Sequence, residues 1–302
     1  MALRIIRESD PIEITQLTVV IYSPPGTGKT STGFSAEQPY LLDFDRGMHR
    51  SRNRRDGSAI ERWQDVCEID ARDIAAYKTI VVDTAGRALD MLTADIISEE
   101  PKLGRGGSLS IQGYGVLKSR FTAWLKYMRG LGKDVVLLAH SDEQKKGDET
   151  VERLDVQGGS KSEIYKSADM MGRLFIKDGK RYLNFSPTEI AFGKNPAGFG
   201  ELEVPDFALE PNYLGRLIQD AKDKINSQSD AQMAASALLE EWRTRLDESL
   251  TPEDFNRAAT EVTDADCSDS QRSVIKRLIV DRASAREIAW DKTAKSFARK
   301  VA

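Results

Sequence analysis

The stretch Ser23-Pro24-Pro25-Gly26-Thr27-Gly28-Lys29-Thr30, with Ser31 behind it, carries the densest chemical signal in the chain. It follows the apolar, β-branched run Leu17-Thr18-Val19-Val20-Ile21-Tyr22 and precedes residues that can continue as a helix. A strand, a glycine-containing turn, Lys-Thr and a helix together wrap backbone N–H groups around the phosphates of a nucleotide. In that arrangement Lys29 neutralises the β- and γ-phosphates, and the Thr30 hydroxyl takes a Mg²⁺ position. The usual pattern opens with Gly where Ser23 stands, and Pro24 and Pro25 stiffen that end of the loop. Gly26 and Gly28 remain where the backbone must come closest to the phosphates.

Three other strand ends supply partners. Ile80-Val81-Val82-Asp83-Thr84 is an apolar run ending in an acid, and open parallel sheets bind ligands at the carboxyl ends of their strands. Asp83 is therefore expected to hold the water shell of Mg²⁺, with Thr84 assisting. Leu41-Leu42-Asp43-Phe44-Asp45 ends in two acids one residue apart, which strand alternation would send to one face. Asp45 is the expected group to polarise an attacking water. Val135-Val136-Leu137-Leu138-Ala139-His140 ends in an imidazole that could contact the γ-phosphate.

Positioning these groups requires alternating strands and helices. Strands are expected at Leu17–Tyr22, Tyr40–Phe44, Thr79–Asp83, Val135–His140, Met171–Lys177, Arg181–Ser186 and Glu189–Phe192. Helices are expected at Lys29–Ser35, Arg87–Ser98, Val116–Leu131 and Glu163–Ala168. This alternation gives an α/β fold with a mostly parallel sheet covered on both faces, and Asp178-Gly179 marks a hairpin at its edge. Two long segments, Glu99–Gly115 and Ser141–Ser162, read as irregular loops. Ser227-Gln228-Ser229-Asp230 reads as a linker between residues 1–226 and a small all-α domain of residues 227–302. Within that domain Thr251-Pro252-Glu253-Asp254 is a helix-start signature, and Ile288, Trp290 and Phe297 lie in an expected final helix.

Composition narrows the function class. The chain has 302 residues, 30% of them charged, with a formal charge of −4, and no apolar run long enough for a membrane span. Its 2 cysteines, Cys67 and Cys267, and its 2 histidines argue against a disulfide framework or a Cys/His metal centre, and point to a reducing cytoplasm. The charge balance neither demands nor forbids nucleic acid.

Taken together, Ser23–Thr30, Asp43-Phe44-Asp45-Arg46-Gly47, Ile80–Thr84 and Val135–His140 resemble the RecA-like ATPase core. Gly113-Tyr114-Gly115, Ala168-Asp169 and Gly193-Lys194-Asn195 extend the match. The chain is most similar to phage-type AAA-family nucleotide-binding proteins, which include core-only RecA-like recombinases linked to single-strand annealing. The resemblance spans roughly residues 10 to 215 and departs from the family at Ser23 and at Asp45, where Glu is common.

The resemblance implies a fold, partners and further residues. The fold would be a RecA-like P-loop core, and the ligands ATP and Mg²⁺. The two long loops would line the axis of a ring or filament and hold single-stranded DNA. The DNA contacts would then come from Lys102, Arg105, Tyr114, Lys118 and Arg120 near the first loop. Lys145, Lys146, Arg153 and Lys161 would supply them near the second. Lys194 would reach a neighbouring subunit's nucleotide, although Pro196 replaces the second Lys of the family's element. The expected activity is ATP hydrolysis coupled to DNA recombination or annealing in the host cytoplasm. The helical domain is free to bind a recombination or replication protein. Two alternatives stand beside this reading: a motor or loader acting on a replication complex, and a nucleotide-dependent switch with little hydrolysis.

Overall fold

The computed structural model describes residues 13–146, 149–157 and 159–299. In chain order the elements begin with β1 (Thr18–Ser23), α1 (Lys29–Phe34), β2 (Pro39–Asp43), β3 (Gly57–Ala59), α2 (Gln64–Cys67), β4 (Thr79–Asp83) and α3 (Ala85–Glu99). They continue with β5 (Gly104–Arg105), β6 (Ser108–Leu109), α4 (Ile111–Gly130), β7 (Asp134–Lys146), β8 (Glu149–Leu154), α5 (Ser160–Ser167), β9 (Met170–Lys177), β10 (Lys180–Asn184) and β11 (Leu202–Val204). The chain ends with α6 (Tyr213–Glu248), α7 (Pro252–Asp264), α8 (Asp269–Ser284), β12 (Ile288–Asp291) and β13 (Ser296–Arg299).

The chain divides into two compact units, one of them Ile14–Ile225 and the other containing Asn226–Ala302. The first is built on a sheet of order β11-β10-β9-β1-β7-β4-β2-β3, with β8 paired to β7. The run β9-β1-β7-β4-β2-β3 is parallel, and β10 and β11 add antiparallel edge strands. Central strands buried on both faces read as continuous apolar runs, and every residue of β1 and β4 is buried. Pleat alternation divides these strands between two cores. Val20, Tyr22, Leu42, Ile80, Val82 and Leu137 pack with Leu89, Leu92, Ile96, Phe121 and Trp124 of α3 and α4. Val19, Ile21, Leu41, Val81, Val136 and Leu138 pack with Phe34 of α1 and Leu214, Leu217 and Ile218 of α6. Gly33 lets α1 lie close to the sheet, since a Cβ there would meet Val81 Cγ1 at 2.8 Å.

Several expectations are corrected. The segment Glu99–Gly115 is not one irregular loop. It contains the β5–β6 hairpin and the start of α4, where Ser110 Oγ accepts the N–H of Gly113, so Gly113-Tyr114-Gly115 are helical. The segment after Ser141 contains strands: β7 runs on to Lys146 and pairs antiparallel with β8, Ser141 opposite Leu154. Glu189–Phe192 forms no strand and contributes a single bridge, Ala191 to Glu152. The expected linker Ser227–Asp230 lies inside α6.

The second unit packs α7, α8 and the end of α6 around Trp242, Leu246, Phe255, Val262, Ile275 and Ile279. The Thr251/Asp254 capping box forms at α7 as the sequence predicts. The expected last helix is instead the hairpin β12–β13, so this unit is not all-α. Asp291 accepts the N–H groups of Thr293 (2.7 Å) and Ala294 (3.1 Å) and turns the chain. Phe297 then packs edge-on against Trp290. Among the described residues no helix is long and apolar enough to cross a membrane.

Candidate active site

The Ser23–Gly28 turn leaves the end of β1 and enters α1 directly. Gly26 and Gly28 have φ of +81° and +101°, a region that side chains strain to enter, which is why glycine is needed at both. Ser23, in the place of the usual glycine, is fully buried; its hydroxyl contacts Thr27 Oγ1, which in turn donates to the Pro24 carbonyl at 3.0 Å. The hydroxyl thus braces the turn from within. The Lys29 ammonium lies inside the turn, 3.0 Å from both the Ser23 and Pro24 carbonyls and 3.2 Å from Ser23 Oγ. Burial pulls its pKa down to about 8, with Asp83, Asp45 and Glu152 acting in the opposite direction.

Sheet register brings the other groups to this edge. Ser23 pairs with His140 on β7, and Asp83 of β4 lies beside Leu138 of the same strand, so one strand separates the turn from the acid. The Thr30 hydroxyl donates to Asp83 Oδ2 at 2.6 Å. Burial pushes the Asp83 carboxyl up to about 6 despite that hydrogen bond, and the charges of Asp43 and Asp45 add to the rise. Thr30 and Asp83 are adjacent hard oxygen donors at a buried edge. They fit Mg²⁺, which keeps much of its water shell and takes few protein ligands.

The Asp43-Phe44-Asp45 reading is corrected in part. Strand β2 stops at Asp43, whose carboxylate caps the next turn by accepting the N–H groups of Gly47 and Met48, both at 2.9 Å. Asp43 is thereby committed to structure. Asp45 stands in the bend beyond, its N–H donating to the Asp83 carbonyl at 3.1 Å. Its side chain accepts from Arg87 Nε at 3.2 Å.

His140 is half-buried, and its Nδ1 has no hydrogen-bond partner among the described residues. Burial, followed by the charge of Lys29, holds its pKa below the ordinary value. Thr84 Oγ1 is likewise buried without a partner among the described residues, and Thr84 and His140 both line a cavity of about 130 Å³. On the outer side of the turn, a cavity of about 1020 Å³ borders Gly28 and Ser31 and is flanked by Arg50, Arg52, Asn53 and Arg181.

The remaining expected residues are more dispersed. Lys102 is ion-paired with Glu100, Lys118 with Glu163, and Arg120 with Asp95 and Glu99. Arg105 is exposed in the β5–β6 hairpin, and Tyr114 is exposed in the first turns of α4. Lys145 is exposed near the tip of the β7–β8 ribbon; the side chain of Lys146 lies outside the described residues. Arg153 donates to the Glu152 carbonyl and lies over the Phe192 ring, and Lys161 is half-buried on α5. Lys194 Nζ donates to the Ala168 carbonyl at 2.7 Å, a bond that a trans contact would have to replace.

Two features escaped the sequence. Glu152 of β8 is buried, accepts the Ser141 hydroxyl at 2.6 Å and pairs with Arg173 of β9 at 2.5 Å, fastening the ribbon beside Lys29. Its partner is 21 residues away and no local pattern announces the pair. Arg87 was legible only as a helix residue, although it comes one turn after Asp83.

A mostly parallel sheet with helices on both faces defines the class of P-loop NTPases when its first strand runs into a Gly-Lys-Thr turn and a nearby strand sets an acid against that Thr. Residues 15–197 match the family model described as an AAA domain, and the chain belongs to that family of P-loop ATPases. No curated protein matches it.

Proposed function

We propose that the chain binds Mg²⁺·ATP at this edge and hydrolyses it, using the energy to control its grip on single-stranded DNA in recombination or annealing of the phage type. The observation that carries the nucleotide part is the 2.6 Å contact between Thr30 and Asp83. The amides from Gly26 to Thr30 cradle the phosphates, and Lys29 exchanges the turn's carbonyls for phosphate oxygens. Ser31 faces the outer cavity, which takes the nucleoside. Mg²⁺, when bound through Thr30 and the waters of Asp83, supplies positive charge against the phosphate oxygens. Asp45 orients and polarises the attacking water, and His140, whose Nδ1 has no partner among the described residues, contacts the γ-phosphate.

The DNA part rests on the resemblance and on two ribbons, β5–β6 and β7–β8, that carry Arg105, Lys145 and Arg153. Self-association in a ring or filament would bring Lys194 to a neighbour. The unit after Asn226 would hold a protein partner. A second reading, a motor or loader that acts on a replication protein, is favoured by the pairing of Lys102, Lys118 and Arg120 with acids. Those pairs leave less free positive charge for a nucleic-acid backbone.

The test is the ATPase rate with and without poly-dT and with Lys29→Ala as the blank. The DNA reading predicts a rise of about tenfold, lost at high salt because phosphate contacts release counterions. A rate indifferent to DNA at low salt rejects it in favour of the loader.

A further inference from the structure

We propose that Arg87 is a positioning residue for hydrolysis, fixing the Asp45 carboxylate and linking it through Asp90 to Gln157 in the segment that leaves β8. This rests on the reading of Asp45 as the water-polarising group.

Asp45 sits past the end of β2, where no ladder holds it, and Arg46 beyond it has φ +51°. Among the described residues its side chain has one hydrogen-bond partner, Arg87 Nε at 3.2 Å. Helix α3 begins directly after the Asp83–Thr84 strand end, so Arg87 in its first turn stands at the same sheet edge. The guanidinium fork spans two carboxylates: Nη1 reaches Asp90 Oδ2 at 3.1 Å while Nε holds Asp45. Asp90 Oδ1 in turn accepts Gln157 Nε2 at 2.5 Å. Two residues before Gln157, the Asp155 N–H donates to the His140 carbonyl at 2.9 Å. The segment leaving β8 is thus tied both to His140 and to the Asp45–Arg87–Asp90 chain. Arg87, Asp90, Asp155 and Gln157 line a cavity of about 130 Å³ together with Thr84 and His140, whose Oγ1 and Nδ1 have no hydrogen-bond partner among the described residues.

Arg87 is 58% exposed, and exposed ion pairs contribute little to stability, so this bridge is not explained by folding. Its consequence is orientation. A carboxylate free to rotate spends most of its time misaligned for a water at the site, and misplacement on the scale of an ångström costs orders of magnitude in rate. Movement of the β7–β8 ribbon would be transmitted to Asp45 along the same chain through Gln157.

The experiment compares wild type, Arg87→Ala, Arg87→Lys, Gln157→Ala, Asp45→Asn and the double variant Asp45→Asn/Arg87→Ala. The readouts are kcat, KM for ATP, the Kd of a fluorescent ADP analogue, and the melting temperature. Arg87→Ala is expected to lower kcat about tenfold with KM, Kd and melting temperature unchanged. Lys restores part of the loss, because it keeps the charge but not the fork. Gln157→Ala lowers kcat about threefold. The double variant is expected to be no slower than Asp45→Asn alone, because a positioning residue has nothing left to position. An Asp45→Asn variant at the wild-type rate, or a wild type that binds ATP without hydrolysing it, removes the base assignment and this inference with it. A slow Asp45→Asn with an unaffected Arg87→Ala overturns the Arg87 role alone. Losses that multiply in the double variant, or a rise in Kd or a fall in melting temperature with Arg87→Ala, do the same.

Discussion

Lys29, Asp83 and His140 all pay for being at a buried edge, and the direction of each shift follows from the charge that burial disfavours. The ammonium is pulled down, the carboxyl is pushed up, and the imidazole is pulled down. For His140 the sign works out as follows. An unfolded imidazole takes its proton near pH 6.5, while the folded one resists it to lower pH. Between those two values the unfolded state binds more protons, so stability is lost as pH falls through that window. His140→Gln is expected to remove that loss. Urea midpoints for wild type and variant at pH 7.5 and pH 5.5 check it, and a variant whose acid loss equals the wild type's counts against a buried, neutral His140. The phosphate turn and Asp83 were legible in the sequence because glycine, lysine and a strand-terminal acid are local signals. Asp43 was misread because alternation predicts where a strand residue points but not where the strand stops: the two N–H groups of the following turn claimed its carboxylate.

Among the elements, the parallel strands were the easiest to read, since burial on both faces leaves unbroken apolar runs such as Val19-Val20-Ile21 and Val135–Ala139. The β7–β8 ribbon was not, because Asp142-Glu143-Gln144-Lys145 carries no apolar alternation to mark it as a strand. Helix α6 runs through Ser227–Asp230 because a few weak helix formers cost only tenths of a kcal/mol each when flanking turns are packed. The β12–β13 hairpin was mistaken for a helix although Ile288 and Trp290 lie at strand spacing, because the stretch is too short for period alone to decide. The start of β7 makes its own prediction. Asp134 accepts the Leu17 N–H at 2.8 Å and Lys222 Nζ of α6 at 2.7 Å, and both side chains are nearly buried. Asp134→Ala strands a buried ammonium and an amide, and is expected to cost about 3–5 kcal/mol in denaturant unfolding. A cost below about 1 kcal/mol would mean that the pair is solvated and is not part of the core.

At the scale of the molecule, one sheet edge gathers the ends of β1, β2, β4 and β7, four segments spread across more than a hundred residues of sequence. Their order in the sheet, with β7 between β1 and β4, lets Thr30 meet Asp83 and sets His140 of β7 opposite Ser23 at the same edge. The β7–β8 ribbon is the continuation of β7 beyond His140, so whatever it touches is mechanically continuous with that edge. The proposal of nucleotide-controlled binding needs that continuity, and it needs the edge to hold a triphosphate first. Calorimetric titration of the full chain with ATP, with and without Mg²⁺, tests this most directly. The account predicts saturable binding that tightens at least about tenfold with Mg²⁺, loses that gain in Asp83→Ala, and vanishes in Lys29→Met. ATP that never saturates the wild type, or binds Asp83→Ala and wild type with the same Mg²⁺ dependence, would contradict it.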